Sequence, residues 1–336
     1  SVVKELVENS IDAGATEICV EIKGGGRQLI RITDNGCGMS ADDAVLCLER
    51  HATSKIKDVD DIHSIFTMGF RGEAIPSIAS ISKFTLLTCA QGEPVGTMVI
   101  VDGGRLVQCS PAARSPGTTI EVKSLFFNVP VRKKFQKSPN YDTTEILKML
   151  STIALGHPAL KFELISNQET LLSAPIPQGT SFMEKLGNRI SMILGTDYFS
   201  GTCPLEGAKG DYLIEGFIGL PSFTRQNRTG QHLFINKRSV YNPLVAYAVR
   251  DGYGTTLSTN RHPVYVLHMT IPGEIVDVNV HPQKREVRLR QEQTLKEMII
   301  QSVDSALQNS GVSLLSEVVT LPFNFSEEPK VKPWFS

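Results

Sequence analysis

Along the first turns of the chain, the apolar positions Val2, Val3, Leu6, Val7 and Ile11 recur at about 100° per residue, which places them on one arc of a helix. Glu5, Asn9 and Asp12 fall on the opposite arc, with Glu5 and Asn9 stacked four residues apart. The period then changes to two. Residues 17–23 alternate with Ile18, Val20 and Ile22 on one side, Gly24, Gly25 and Gly26 make a turn, and residues 29–33 return as the second strand of a hairpin. Residues 40–48 read as a short helix capped by Ser40, and residues 74–81 as another with Pro76 in its first turn. Segments 83–89, 95–101, 105–109 and 118–122 alternate as strands of one antiparallel sheet. A helix over 141–155 and a closing strand pair over 161–165 and 170–174 complete the first unit.

Pro175-Ile176-Pro177-Gln178-Gly179 breaks the pattern and marks a boundary region. Beyond it the spacing predicts helices over 182–194, 243–251 and 291–308, and strands over 211–220, 231–235 and 264–270. The fold class expected is α/β: a two-layer α+β sandwich over residues 1–178, then a second α/β unit over 179–312. Residues 313–336 read as the start of a linker, since prolines and charges stand among few apolar residues over 326–336.

At 336 residues the chain is long enough for two domains with their own cores, and 41% apolar with 21% charged residues is ordinary for a globular protein. The formal net charge of -1 gives no global basic character, so any DNA contact must come from local patches. The six cysteines are scattered without CxxC spacing, which favours free thiols in a reducing compartment over a zinc site. No run of 18 apolar residues or signal-like segment occurs, so an intracellular chain away from membranes is expected, cytoplasmic in a bacterium or nuclear in a eukaryote. The chain begins inside a helical pattern without a start methionine and reads as a fragment.

Two patterns suggest chemistry. A carboxylate and a carboxamide projecting together from a helix suit metal-assisted hydrolysis: Glu5 can take a proton from water, and the Asn9 amide oxygen is a hard, neutral ligand for Mg²⁺. An ordinary amphipathic helix with a solvated face has the same pattern. Asp34 ends the second hairpin strand, and Gly36 and Gly38 follow, allowing the backbone to approach a flat ligand. An ionised Asp only accepts, so it can hold the exocyclic amine of adenine and reject the carbonyl of guanine. Asp-Asn-Gly is also good turn chemistry. Residues 50–57 are polar and hydroxyl-rich and fit a rearranging loop. Gly69-Phe70-Arg71-Gly72-Glu73 opens the next helix, whose free N–H groups suit phosphates. The basic run from Arg132 to Lys137 is either a solvated face or a DNA contact.

Glu5-Leu6-Val7-Glu8-Asn9-Ser10-Ile11-Asp12-Ala13-Gly14-Ala15, followed by Asp34-Asn35-Gly36-Cys37-Gly38, resembles the ATP-binding fold shared by DNA gyrase, the large heat-shock chaperones, histidine kinases and MutL. Arg50-His51-Ala52-Thr53-Ser54-Lys55 and Gly69-Phe70-Arg71-Gly72-Glu73-Ala74 look like motifs of the MutL family of DNA mismatch-repair ATPases. Pro76 departs from the residue usual there. The resemblance implies a Bergerat-type domain of the GHKL superfamily, then a second domain similar to a ribosomal-protein fold. It implies ATP and Mg²⁺ as cofactors, Glu5 as general base, Asn9 as Mg²⁺ ligand, and Asp34, Gly36 and Gly38 around adenine. Thr53, Ser54 and Lys55, and Arg71, Gly72, Glu73, Ala74 and Ile75, would close over the phosphates. Thr119, after Gly117, matches the last nucleotide motif, and Lys284 in the turn after Pro282 would reach the γ-phosphate. A homodimer or family heterodimer is expected on ATP binding, with sequence-independent DNA contact through Arg132, Lys133, Lys134, Arg225, Arg228, Lys237 and Arg238. A mismatch-recognition protein of the MutS type and downstream repair enzymes would be its partners. The rivals are a gyrase-like topoisomerase subunit and a non-hydrolysing recruitment module.

Overall fold

The computed structural model describes residues 1–49, 74–272, 276–277, 288–289 and 291–311. Its first unit starts with helix α1 (Val2–Asp12), hairpin strands β1 (Glu17–Lys23) and β2 (Leu29–Asp34), and helix α2 (Ala41–Leu46), whose Ser40 side chain accepts from the Asp43 N–H as the capping pattern predicts. Helix α3 (Ala74–Ala79) leads into β3 (Lys83–Cys89), β4 (Gly96–Asp102), β5 (Arg105–Ala112) and β6 (Gly117–Lys123). Short helix α4 (Pro130–Lys134), long helix α5 (Pro139–Gly156), β7 (Lys161–Ser166) and β8 (Glu169–Ala174) follow.

These strands form an eight-stranded sheet in the order β5-β4-β3-β6-β2-β1-β7-β8. β1 and β7 run parallel, and the other neighbours are antiparallel. The period-two pattern explains the two layers. Ile18, Val20, Ile22, Ile30, Ile32, Phe84, Leu86, Ile120, Val122, Phe162 and Leu164 share one core with Val3, Leu6 and Val7 of α1 and Leu150 of α5. The opposite face carries a charged ladder across three strands, where Arg31 pairs with Glu121 at 2.7 Å and with Glu21 at 2.5 Å.

The second unit has α6 (Phe182–Leu194), α7 (Thr196–Ser200), β9 (Thr202–Lys209), β10 (Tyr212–Gly219), β11 (Thr224–Arg225), β12 (Gln231–Ile235), β13 (Arg238–Val240), α8 (Pro243–Gly252), β14 (His262–Pro263), β15 (Tyr265–Thr270), the short pair β16 (Val276–Asp277) and β17 (Arg288–Leu289), and α9 (Glu292–Asn309). Its five-stranded sheet runs β13-β12-β15-β10-β9. Val245, Ala248 and Val249 of α8 and Leu295, Met298, Ile299 and Val303 of α9 pack with the strands in one core. A further cluster joins Leu155 of α5 and Leu186 and Ile190 of α6 to Phe217, Phe234 and Val266 of this sheet. α5 and α6 thus connect the two sheets.

β9 has no counterpart among the strands expected from the sequence. Pro204 and Gly207 read as breakers, but β9 is an edge strand, where proline's missing N–H is tolerated. The basic run also gains structure, as α4 with Pro130 in its first turn.

Candidate nucleotide-binding site

The site is built where α1 ends against the end of β2. Val3, Leu6, Val7 and Ser10 are the buried positions of α1, leaving Glu5 and Asn9 half-buried on its other side. Four residues on a helix advance about 6 Å, so Glu5 and Asn9 stand one above the other. Ser10 follows Asn9, and its hydroxyl donates to Asp34 Oδ2 at 2.7 Å. Asp34 Oδ1 accepts from the Gly36 N–H at 2.9 Å and the Thr118 N–H at 3.2 Å. A carboxylate offers about four acceptor positions, so among the described residues these three donors leave one, on Oδ2. That single remaining acceptor is what an exocyclic amine needs.

The loop after Asp34 is held tightly. The Cys37 N–H donates to Ala13 O at 2.9 Å, and the Gln91 N–H to Cys37 O at 3.0 Å. A Cβ on Gly36 would stand 2.8 Å from Ala13 O, and one on Gly38, whose φ is +68°, would collide with the Cys89 carbonyl. Close packing of the loop between α1 and β3 therefore already requires both glycines.

Strand β6 completes the wall. Thr118 is buried, and its hydroxyl lies 3.0 Å from that of Thr88, which accepts from the Met39 N–H at 2.9 Å. Thr119 alternates to the other side of β6, where its hydroxyl lies 3.2 Å from that of Thr33 and accepts from Arg114 at 2.9 Å. Arg114 also donates to Asp34 O at 3.0 Å and to Gly117 O at 3.1 Å. Burial lowers the Arg114 guanidinium from its ordinary pKa, against the opposing pull of Asp34. Ser10, Thr88, Arg114 and Thr118 escaped the sequence reading. The sequence signal for this wall is Thr118 directly after Gly117, one residue before Thr119.

Ala74 and Ile75 are half-buried at the start of α3, which packs beside α1. Thr53, Ser54, Lys55, Arg71, Gly72, Glu73 and Lys284 lie outside the described residues. Arg132, Lys133 and Lys134 are exposed on α4, whereas Arg225 and Arg228 lie in the second unit. Arg225 lines an open polar cavity of about 330 Å³ with Thr224, Gln226, Asn227, Thr229 and Arg261. Lys237 is exposed, and Arg238 is half-buried. Among the described residues no group of three His, Cys, Asp or Glu could hold a metal.

Residues 1–102 match the protein family described as histidine kinase-, DNA gyrase B-, and HSP90-like ATPase, and residues 190–308 match the one described as DNA mismatch repair protein, C-terminal domain. The DNA mismatch repair protein MutL of Chlamydia abortus is 42% identical over 313 residues, 93% of this chain and 53% of that protein. Over nearly its whole length the chain is similar to MutL proteins. MutL of Acidobacterium capsulatum is 40% identical over 334 residues, 92% of this chain and 49% of the relative. The chain spans about half the length of these curated MutL relatives. Among solved structures, the N terminal domain of a DNA repair protein aligns with a TM-score of 0.73 at 26% identity, covering 93% of this chain and 95% of that one. The Aquifex aeolicus MutL ATPase domain complexed with ADP aligns with a TM-score of 0.59 at 26% identity, over 89% and 95%. The fold of this chain is thus that of the MutL ATPase domains, the Bergerat-type architecture expected from the motifs.

Proposed function

We propose that this chain binds ATP with Mg²⁺ and hydrolyses it slowly, as the N-terminal region of a MutL-type mismatch-repair protein. The observation that carries the reading is the Asp34 carboxylate, buried and held by Ser10, Gly36 and Thr118 with one acceptor position left over. That arrangement selects an amino-purine over an oxo-purine, because a second acceptor facing it would leave both unpaired. Asn9 alone is a sparse ligand set, and it fits a cation that keeps several waters and takes its other ligands from phosphates. Mg²⁺ bound in this way would neutralise charge on the triphosphate. Glu5, one turn away, takes the proton of the attacking water. Thr53, Ser54, Lys55, Arg71, Gly72, Glu73, Ala74, Ile75 and Lys284 contact the phosphates. Nucleotide binding orders these segments and brings two N-terminal regions together, as homodimer or family heterodimer, and hydrolysis releases them. The cycle couples a mismatch-recognition protein of the MutS type to downstream repair enzymes. DNA is held without sequence preference through Arg132, Lys133, Lys134, Arg225, Arg228, Lys237 and Arg238, with steep salt dependence.

The test is steady-state ATP hydrolysis with Mg²⁺ or with chelator, comparing the chain with Glu5→Ala. Turnover is expected to fall by about 10²–10⁴ in the variant while ATP binding persists. Equal turnover in both would remove Glu5 from the role, and turnover unaffected by chelator would remove Mg²⁺.

A further inference from the structure

Helix α4 and the residues after it make an exposed segment for which the fold itself has little use. α4 has five residues and buries none of them. Val131 is 66% exposed and Phe135 81% exposed, and their i, i+4 spacing puts both on one side of the turn. An isolated exposed apolar residue is ordinary. Here the ring is set among Arg132, Lys133, Lys134 and Lys137, with no carboxylate anywhere from residue 129 to residue 141. Cations and rings also alternate in space. Arg132 lies 5.9 Å from the centroid of Phe126, and Lys137 Nζ lies 4.0 Å from that of Tyr141, itself 43% exposed.

The base of this segment is fixed. Ser138 accepts from the Tyr141 N–H at 3.2 Å to cap α5, Asp142 pairs with Arg27 at 2.8 Å, and the Leu125 N–H donates to Arg27 O at 3.2 Å. These contacts hold the segment at the β1–β2 turn. Asp34 is at the opposite end of β2, about 16 Å away along a strand rising about 3.3 Å per residue. The segment is therefore separate from the candidate nucleotide site.

We propose that this segment is a stacking platform for single-stranded DNA: Phe135 lies against an unpaired base while Arg132, Lys133, Lys134 and Lys137 hold the flanking phosphates. The inference rests on the DNA-binding part of the function proposed above and adds what form of DNA is held and by which ring. The charge calls for a polyanion, and the ring calls for flat faces alongside that charge. Unpaired nucleotides supply both, and base–aromatic stacking tolerates any sequence. A duplex keeps its base faces inside its own stack. An acidic peptide satisfies the cations without using the ring. An anionic membrane takes up helices with a broad apolar face, which Val131 and Phe135 on a five-residue helix do not make.

The experiment is fluorescence anisotropy with a labelled oligo-dT, which forms no duplex of its own, and with a duplex of equal length. Wild-type chain, Phe135→Ala, Phe135→Tyr and Lys133→Ala are compared over a range of salt, with thermal melts to check folding. Phe135→Ala should weaken oligo-dT binding at least about fivefold, leaving its salt slope and the duplex affinity unchanged, and Phe135→Tyr should restore it. Lys133→Ala should reduce the salt slope by about 0.7. Wild-type binding that Phe135→Ala leaves intact overturns the platform alone. An equal loss on duplex and oligo-dT, or tighter binding to phosphatidylserine vesicles than to oligo-dT, also overturns it. No binding of oligo-dT or duplex by the wild type overturns both the platform and the DNA reading beneath it.

Discussion

Asp34 is 8% exposed yet sits where water and a ligand would compete for it. A buried carboxylate is costly unless its charge is matched by donors, and the Ser10 hydroxyl and the Gly36 and Thr118 amides match it. Asp34→Asn separates the structural role from the recognition role. The amide oxygen can keep both N–H donors on Oδ1, and the Ser10 hydroxyl can turn to accept from the new NH₂. The remaining outward position then carries a donor facing the adenine amine. We expect a nearly unchanged melting temperature and about 10- to 100-fold weaker binding of a non-hydrolysable ATP analogue by calorimetry. Wild-type nucleotide affinity in this variant would exclude Asp34 from adenine recognition.

At the scale of elements, α6 is the piece that fastens the first sheet to the second. Its start is a capping box: Ser181 accepts from the Glu184 N–H, and the Glu184 carboxylate accepts from the Ser181 N–H. Further along, the fully buried Arg189 donates to the carbonyls of Ala174 at 3.0 Å, Pro158 at 3.1 Å, Leu160 at 2.5 Å and Pro175 at 3.1 Å. One guanidinium thus ties α6 to the carbonyls where α5 gives way to β7 and where β8 ends. Its Nε has no partner among the described residues. Arg189→Met fills similar volume and takes the donor away from four carbonyls, of which those of Pro158 and Ala174 are buried. Urea unfolding should show a loss of about 3–5 kcal/mol, and Arg189→Lys, with three donors, a smaller one. A loss under about 1 kcal/mol in Arg189→Met would mean that water replaces the guanidinium and the clamp carries little stability.

At the scale of the molecule, two histidines sit where the sheets meet. His268 stacks on Phe234 at 4.6 Å, meets Phe182 edge-on at 5.0 Å, and its Nε2 lies 3.1 Å from Leu155 O. His157 follows α5, is 9% exposed, and its Nε2 has no hydrogen-bond partner among the described residues. Burial pushes both pKa values down to about 4, with Lys237 acting in the same direction and Asp12 opposing it at His157. In the unfolded chain both titrate near 6.5. Above that pH both states are neutral and stability is complete. As pH falls from 6.5 towards 4, the unfolded chain gains protons that the folded chain excludes, so stability declines by on the order of 3 kcal/mol per histidine. The melting temperature should therefore drop between pH 7 and pH 5, and His268→Gln should flatten about half of that drop. A His268→Gln profile as steep as wild type would show that other groups drive the acid sensitivity.

The sequence by itself determined most of the elements and pointed to the region of the candidate site. Apolar spacing located α1, the hairpin, the strands of the first sheet and α6, because a face that must be buried imposes its period on the chain whatever it packs against. Glu5, Asn9 and Asp34 were legible for the same reason, since local geometry alone puts the first two on one helix face and the third at a strand end. Only the tertiary structure decided that Ser10, 24 residues from Asp34 in sequence, is its hydrogen-bond donor, or that Thr118 rather than Thr119 reaches it. It also decided that β7 lies parallel to β1, that Pro204 is accommodated on an edge strand, and that Arg189 binds carbonyls up to 31 residues away. Such contacts depend on which strand neighbours which and on the register between them. Strand pairing over long separations uses the same backbone groups for any side chains, so alternation fixes which face a strand buries but not which strand lies beside it.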